Sequence, residues 1–219
     1  MRQATTALAL AVLLLCVSSG PCFSSPSGLN NIPTADVAAQ GVVVLQAWAN
    51  AAEGQDTTWL AGAKTGLTPD LEVGLDSRVA PDGGPVTAQV KYRVRSTIPD
   101  LWWALGLANL SADKDRAGEP MPYAVATRSL GQWRAHLGYS AQKDAEGLFC
   151  GADLQISPSL LMRADWVRLG AAAGSATSVG ALWASDGRLA FEARLTFPNS
   201  PPSATALTLK ADWAFETGG

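Results

Sequence analysis

Apolar and polar residues alternate in short runs along this chain, and the alternation recurs about a dozen times. It is clearest over residues 86–95, where Val86, Ala88, Val90, Tyr92 and Val94 share one face. Thr87, Gln89, Lys91, Arg93 and Arg95 share the other. A period of two places successive side chains on opposite sides of an extended strand. Strands are expected at residues 41–50, 57–65, 71–79, 86–95, 101–110 and 121–128. The second half adds 133–140, 148–156, 160–169, 177–185, 188–197 and 204–215. Each is close to the roughly 9–11 residues that a tilted strand needs to cross a bilayer.

The connections alternate as well. Odd-numbered strands are followed by polar or small-residue loops, such as 50–56 and 111–120. Even-numbered strands are followed by tighter turns, among them Ser157-Pro158-Ser159 and the hairpin dipeptide Asp186-Gly187. Short turns at one end and longer loops at the other predict an all-β fold: a transmembrane antiparallel up-and-down β-barrel of about 12 strands. An even strand number places both termini on the periplasmic side.

Three features decide which face of the strands is the outside. Gly62, Gly74, Gly106, Gly138, Gly151 and Gly180 share the parity of the polar residues, and glycine relieves crowding on a concave wall. The polar face carries few charges, and of both signs. The expected lumen-lining set is Glu72, Asp76, Lys91, Arg93, Arg95, Arg128, Arg134, Asp153, Arg163, Asp165, Arg188, Glu192, Arg194, Lys210 and Asp212. The apolar face carries aromatic residues near strand ends: Trp59, Trp103, Tyr123, Trp133, Tyr139, Trp166, Trp183, Trp213 and Phe215. Such rings form the girdles of membrane barrels. Trp48 and Trp102 have the lumen parity; either the register shifts there or they pack inside.

Composition agrees with a membrane wall. Only 16% of the 219 residues are charged, against roughly 25% in soluble domains. The net charge of -3 supplies no basic footprint for nucleic acid. Residues 1–24 read as a signal peptide, with Arg2 as the positive region, an apolar run from Ala7 to Val17, and cleavage between Ser19 and Ser25. Residues 25–219 then form the barrel. Cys22 follows Pro21 and lacks a Leu three residues before it, so a lipid-modified cysteine is disfavoured. Cys150 falls on the apolar face and reads as a small apolar residue. No disulfide framework or metal spacing is present, and no cofactor is implied.

The last strand alternates Leu207, Leu209, Ala211, Trp213 and Phe215 with Thr208, Lys210 and Asp212. It resembles the C-terminal strand by which bacterial outer-membrane proteins are targeted, which implies the barrel-assembly machinery as a partner. Here Glu216-Thr217-Gly218-Gly219 follows the aromatic residue, a departure from that pattern. The stretch Gly28-Leu29-Asn30-Asn31-Ile32-Pro33-Thr34-Ala35-Asp36-Val37 resembles the opening of a group of uncharacterised outer-membrane barrels. Some of these are similar to the YjbH type linked to exopolysaccharide export.

Catalytic chemistry finds little support. His136 is the only histidine. It shares the lumen face with Arg134, Gly138 and Ser140, without a visible serine-plus-acid spacing. Asp113, Asp115 and Glu119 alternate with Lys114 and Arg116 in one loop. That reads as solvated surface rather than a calcium site. The expectation is a non-enzymatic outer-membrane barrel, with the lumen either glued shut by paired charges or open as a narrow passive pore. A partner-binding component of polysaccharide or lipid export is the alternative, and a barrel-embedded lipid hydrolase a weaker third. Outer-membrane lipid is the expected surroundings; no soluble partner is indicated.

Overall fold

A computed structural model describes residues 27–143, 146–168, 174–185, 187–199 and 204–217. The expected signal peptide lies outside the described residues, as does Asp186 of the hairpin dipeptide. The strands are β1 (Val42–Ala52), β2 (Thr58–Thr68), β3 (Leu71–Ala80), β4 (Val86–Arg95), β5 (Leu101–Leu110) and β6 (Met121–Leu130). They continue as β7 (Trp133–Ser140), β8 (Gly147–Ser157), β9 (Leu160–Arg168), β10 (Ser175–Ser185), β11 (Leu189–Pro198) and β12 (Ala206–Glu216). Every strand pairs antiparallel with its sequence neighbours, and β1 pairs with β12 from Val42–Glu216 to Ala52–Ala206, closing the ring. The protein is a closed twelve-stranded antiparallel barrel.

Turns at one end are tight, with Pro69-Asp70, Gly131-Gln132 and Pro158-Ser159 after β2, β6 and β8. Gly131 has a φ of +68°, a conformation glycine adopts without steric penalty. The other end carries the longer loops. The loop after β5 contains a single helical turn, α1 (Lys114–Ala117), capped by Asp113, whose carboxylate accepts the Arg116 N–H. Asp113, Asp115 and Glu119 belong to this loop.

Parity sorts the side chains. Leu75, Leu105, Leu137, Leu148, Val179 and Leu209 point outward and are exposed. Cys150 is exposed on the same outer wall. Aromatic residues flank this apolar band. Trp103, Trp133, Trp183, Trp213 and Phe215 lie toward the short-turn end, and Trp59, Tyr139 and Trp166 toward the long-loop end. Trp183 stacks on Phe191 with ring centroids 5.9 Å apart, and Trp213 meets Phe215 at 5.4 Å.

Strand β6 is read with the wrong parity from sequence. Tyr123 points inward and is buried, not part of a girdle, while Arg128 points outward and is exposed, not in the lumen. Tyr123 pairs with Gly106 and Ser140, and its ring occupies the space a Cβ at Gly106 would need. Up to Arg128 the outward face of β6 is made of Pro122, Ala124 and Ala126, too small to mark it as the apolar side, and Leu130 follows only at the strand end. Arg188 has the lumen parity but lies in the exposed turn before β11. Trp48 and Trp102 keep the inward parity: Trp48 lines an internal cavity, and Trp102 lies near the short-turn mouth under Arg93, 5.1 Å from its ring centroid.

The faces carry a testable consequence. Leu209→Arg, in the apolar band, should lower folding stability in lipid vesicles by about 2–4 kcal/mol, the cost of a cation near the bilayer midplane. Gln89→Arg, facing the interior beside Asp76, should cost far less. Equal losses in denaturant titrations would reverse the assignment of faces.

Candidate functional site

The barrel interior is occupied by the chain's own N-terminal segment, residues 27–40. It enters from the short-turn end ahead of β1. Gly28 bridges Pro33, and the Leu29 N–H donates to the Ile32 carbonyl at 2.9 Å, folding the leading part into a tight hairpin. This plug has one apolar face. Leu29, Ile32 and Ala35 pack against Ala104, Tyr123, Val125 and Phe149 of β5, β6 and β8. Bare glycine backbone in β7 and β8 makes the room. The Phe149 ring takes the space beside Gly138, and a Cβ at Gly151 would meet the Leu29 and Ile32 side chains.

The polar side of the plug is gripped by the wall. The Lys91 ammonium donates to three plug carbonyls, those of Ser27 at 2.9 Å, Thr34 at 3.2 Å and Asp36 at 2.7 Å. Its wall neighbour Glu72 accepts the Ala38 N–H at 2.7 Å. Asp165 accepts the Asn31 N–H at 2.8 Å, and the Asn31 amide donates to Ser178. Arg194 donates to the Asn30 carbonyl, and Lys64 to the Ser27 hydroxyl at 2.8 Å. Buried polar groups are costly unless paired; wall and plug pair many of theirs, while the Asn30 side-chain amide, Glu72 Oε1 and Asp165 Oδ1 stay without a hydrogen-bond partner among the described residues.

A second network holds the middle of the plug. Arg134 reaches both Asp36 oxygens at 3.0 Å and forms a 2.7 Å ion pair with Asp153. Asp153 lies 3.2 Å from His136 Nε2, and His136 Nδ1 lies 2.9 Å from the Thr127 hydroxyl. Thr127 Oγ1 in turn accepts the Ala35 N–H at 2.9 Å. Burial works to raise the Asp36 carboxyl, but Arg134, the Thr34 hydroxyl and Lys91 together hold it below the usual carboxylate range. Thr127, His136 and Asp153 are the residue types of a hydrolytic triad. All three are buried, however, and Thr127 is already engaged by the plug backbone.

The remaining predicted residues fall in three places. Arg163 and Glu192 form a buried ion pair at 3.1 Å, and Arg194 joins Glu192 at 3.2 Å. Lys210 pairs with Asp212 at 3.2 Å, and Asp212 also accepts from Gln46. Arg93 and Arg95 do not face Glu72 and Asp76. They sit at the short-turn mouth on Asp70, at 3.0 and 3.6 Å, and Arg95 is largely exposed. The register explains this: Lys91 is opposite Glu72, Thr87 is opposite Asp76, and Arg93 lies beyond the end of β3. Arg128 lies on the outer face of β6 and Arg188 in the turn before β11, both exposed.

Above the plug, in the long-loop half, a cavity of about 320 Å³ remains. Its floor is the plug hairpin Ser27–Pro33, and its walls include Gln46, Trp48, Lys64, Asp76, Gln89, Tyr123, Arg194 and Lys210. The sequence reading passed over Lys64, Thr127, Ser178 and the plug itself. Inward-facing Val125 and Phe149 are the signal that an apolar object fills the lumen, and they are legible only once parity is known.

A closed barrel with an apolar outer wall, aromatic belts and a charged interior is the architecture of bacterial outer-membrane porins. Solved structures match it in fold. The KdgM porin in complex with disordered oligogalacturonate superposes with a TM-score of 0.66 at 8% identity, covering 79% of this chain and 99% of that one. The outer membrane protein Omp33 of Acinetobacter baumannii gives a TM-score of 0.53 at 11% identity, covering 80% and 100%. Outer membrane phospholipase A from Escherichia coli gives 0.53 at 6% identity, covering 78% and 89%. No protein-family model and no curated protein sequence matches the chain.

The buried ion pairs predict a specific pattern. Glu192→Ala strands Arg163 and should destabilise the barrel by about 3–5 kcal/mol, while Arg163→Leu with Glu192→Leu should cost much less. Unfolding titrations of the single and double variants in vesicles measure the difference.

Proposed function

We propose that this protein is a non-enzymatic outer-membrane barrel that serves as a narrow passive pore for small hydrophilic solutes. The observation that carries this reading is the interior: charged, polar, and holding an unfilled cavity beneath the long loops. Lys64, Arg194, Lys210 and Asp76 line it, with Arg194 paired to Glu192 and Lys210 to Asp212. Lys64, whose ammonium donates to the neutral Ser27 hydroxyl, tips the cavity toward anions, because fixed cations lower the barrier for negative solutes. In this reading the short-turn end faces the periplasm, outer-membrane lipid covers the apolar band, and the assembly machinery engages β12.

A second reading, a partner-binding component of polysaccharide or lipid export, draws on the 28–37 stretch that resembles YjbH-type barrels. That stretch is the plug. Loss of exported polysaccharide on deletion of the gene, with unchanged solute permeability, would favour it over the pore.

The pore reading is tested by currents across planar bilayers. The protein should conduct weakly with anion preference. Lys64→Glu should shift the reversal potential toward cation selectivity under a salt gradient. An unchanged reversal potential would remove these cavity cations from the conduction path.

A further inference from the structure

We propose that residues 27–40 form a releasable gate, which closes the lumen when seated and opens it by withdrawing through the short-turn mouth about Gly41. The proposal rests on the pore reading and adds its regulation.

Four observations support withdrawal over permanent filling. First, the plug is not part of the barrel ladder. Among the described residues its only bridge to the wall is Gln40 to Gly66, beside the hinge, while Gly28–Pro33 closes it on itself. It is therefore a compact unit that can move without breaking strand pairing. Second, most of the wall's ion pairs do not involve it. Lys91 faces Glu72 at 3.9 Å, Arg134 faces Asp153 at 2.7 Å, and Glu192 serves Arg163 and Arg194, all wall to wall. Among the ion pairs of the described residues only Asp36–Arg134 joins plug to wall, and the wall charges that withdrawal hands to water are Asp165, released by the Asn31 N–H, and Lys64, released by Ser27. Third, Gly41 has a φ of +76°, and its N–H donates to the Gly66 carbonyl at 3.1 Å. The chain turns there from plug into β1, at a residue that tolerates other conformations as readily. Fourth, the middle of the plug is held by one polar cluster: Thr127 takes the Ala35 N–H, Arg134 the Asp36 carboxylate and Lys91 the Thr34 and Asp36 carbonyls, with His136 and Asp153 behind them. Loosening one small polar cluster frees the segment's middle.

The test uses the full chain, with its native cysteines replaced by serine, in planar bilayers. Ala35→Cys with Thr127→Cys places a thiol pair where the Ala35 nitrogen and Thr127 Oγ1 are 2.9 Å apart. Once mass spectrometry confirms the cross-link, the oxidised protein should pass about a tenth or less of the current it passes after reduction, as expected when one state is trapped. Asp36→Arg sets a second cation against Arg134 and should raise the open fraction several-fold without any cross-link. Equal currents from the oxidised pair, the reduced pair, the parent and Asp36→Arg would overturn the gate and leave the pore, with the plug as a fixed filler. Absence of current from all four would overturn the pore reading itself, and the gate with it.

Discussion

The hydrogen bonds between β1 and β12 are the constraint on which the molecule depends. A strand facing hydrocarbon cannot leave its N–H and C=O groups unpaired, since no water is there to receive them. Joining the first strand to the last removes both edges at once. Closure then forces a division that an open sheet does not need: one residue parity must face lipid and the other a confined interior. The apolar band with its aromatic belts, and the charged lumen, both follow from that single act of pairing.

Confinement creates the next problem. Charges of both signs line a space too narrow for each to be freely hydrated. The protein meets this with opposite charges on neighbouring strands, as in Arg134–Asp153, or across one intervening strand, as in Arg163–Glu192, and with a segment of its own backbone. A stretch of main chain suits that role because it offers donors and acceptors together. Lys91 takes three of its carbonyls, while Glu72, Asp165 and Thr127 each take one of its N–H groups. The apolar side chains Leu29, Ile32 and Ala35 then dock on the part of the wall without charges.

This arrangement links the plug and the cavity. The hairpin Ser27–Pro33 borders the cavity, so the position of the plug sets the free volume beside it. It also accounts for His136. Its buried ring ties Thr127, which holds Ala35, to Asp153, the ion-pair partner of the Arg134 that holds Asp36. The same side-chain types that serve hydrolysis elsewhere serve here as a brace.

Alternation alone determined that the chain forms about twelve strands, which end carries the short turns, and that Gly62, Gly74, Gly106 and Gly138 face inward. These are local facts, because the two-residue period is written in each strand separately. Tyr123, Arg128 and Arg188 were misplaced where the local pattern is weak: β6 has small residues on its lipid side, and Arg188 lies past the strand end. Arg93 and Arg95 have the right parity, but their partner Asp70 depends on the register between β3 and β4, which neither strand encodes by itself. The plug was decided by tertiary structure alone. Residues 27–40 have no periodicity, and their burial comes from fitting a cavity whose walls include residues as distant as Arg194, 164 positions from Asn30. A pattern read along the chain records what each residue prefers to face; it cannot record which distant segment will fill the space those residues enclose.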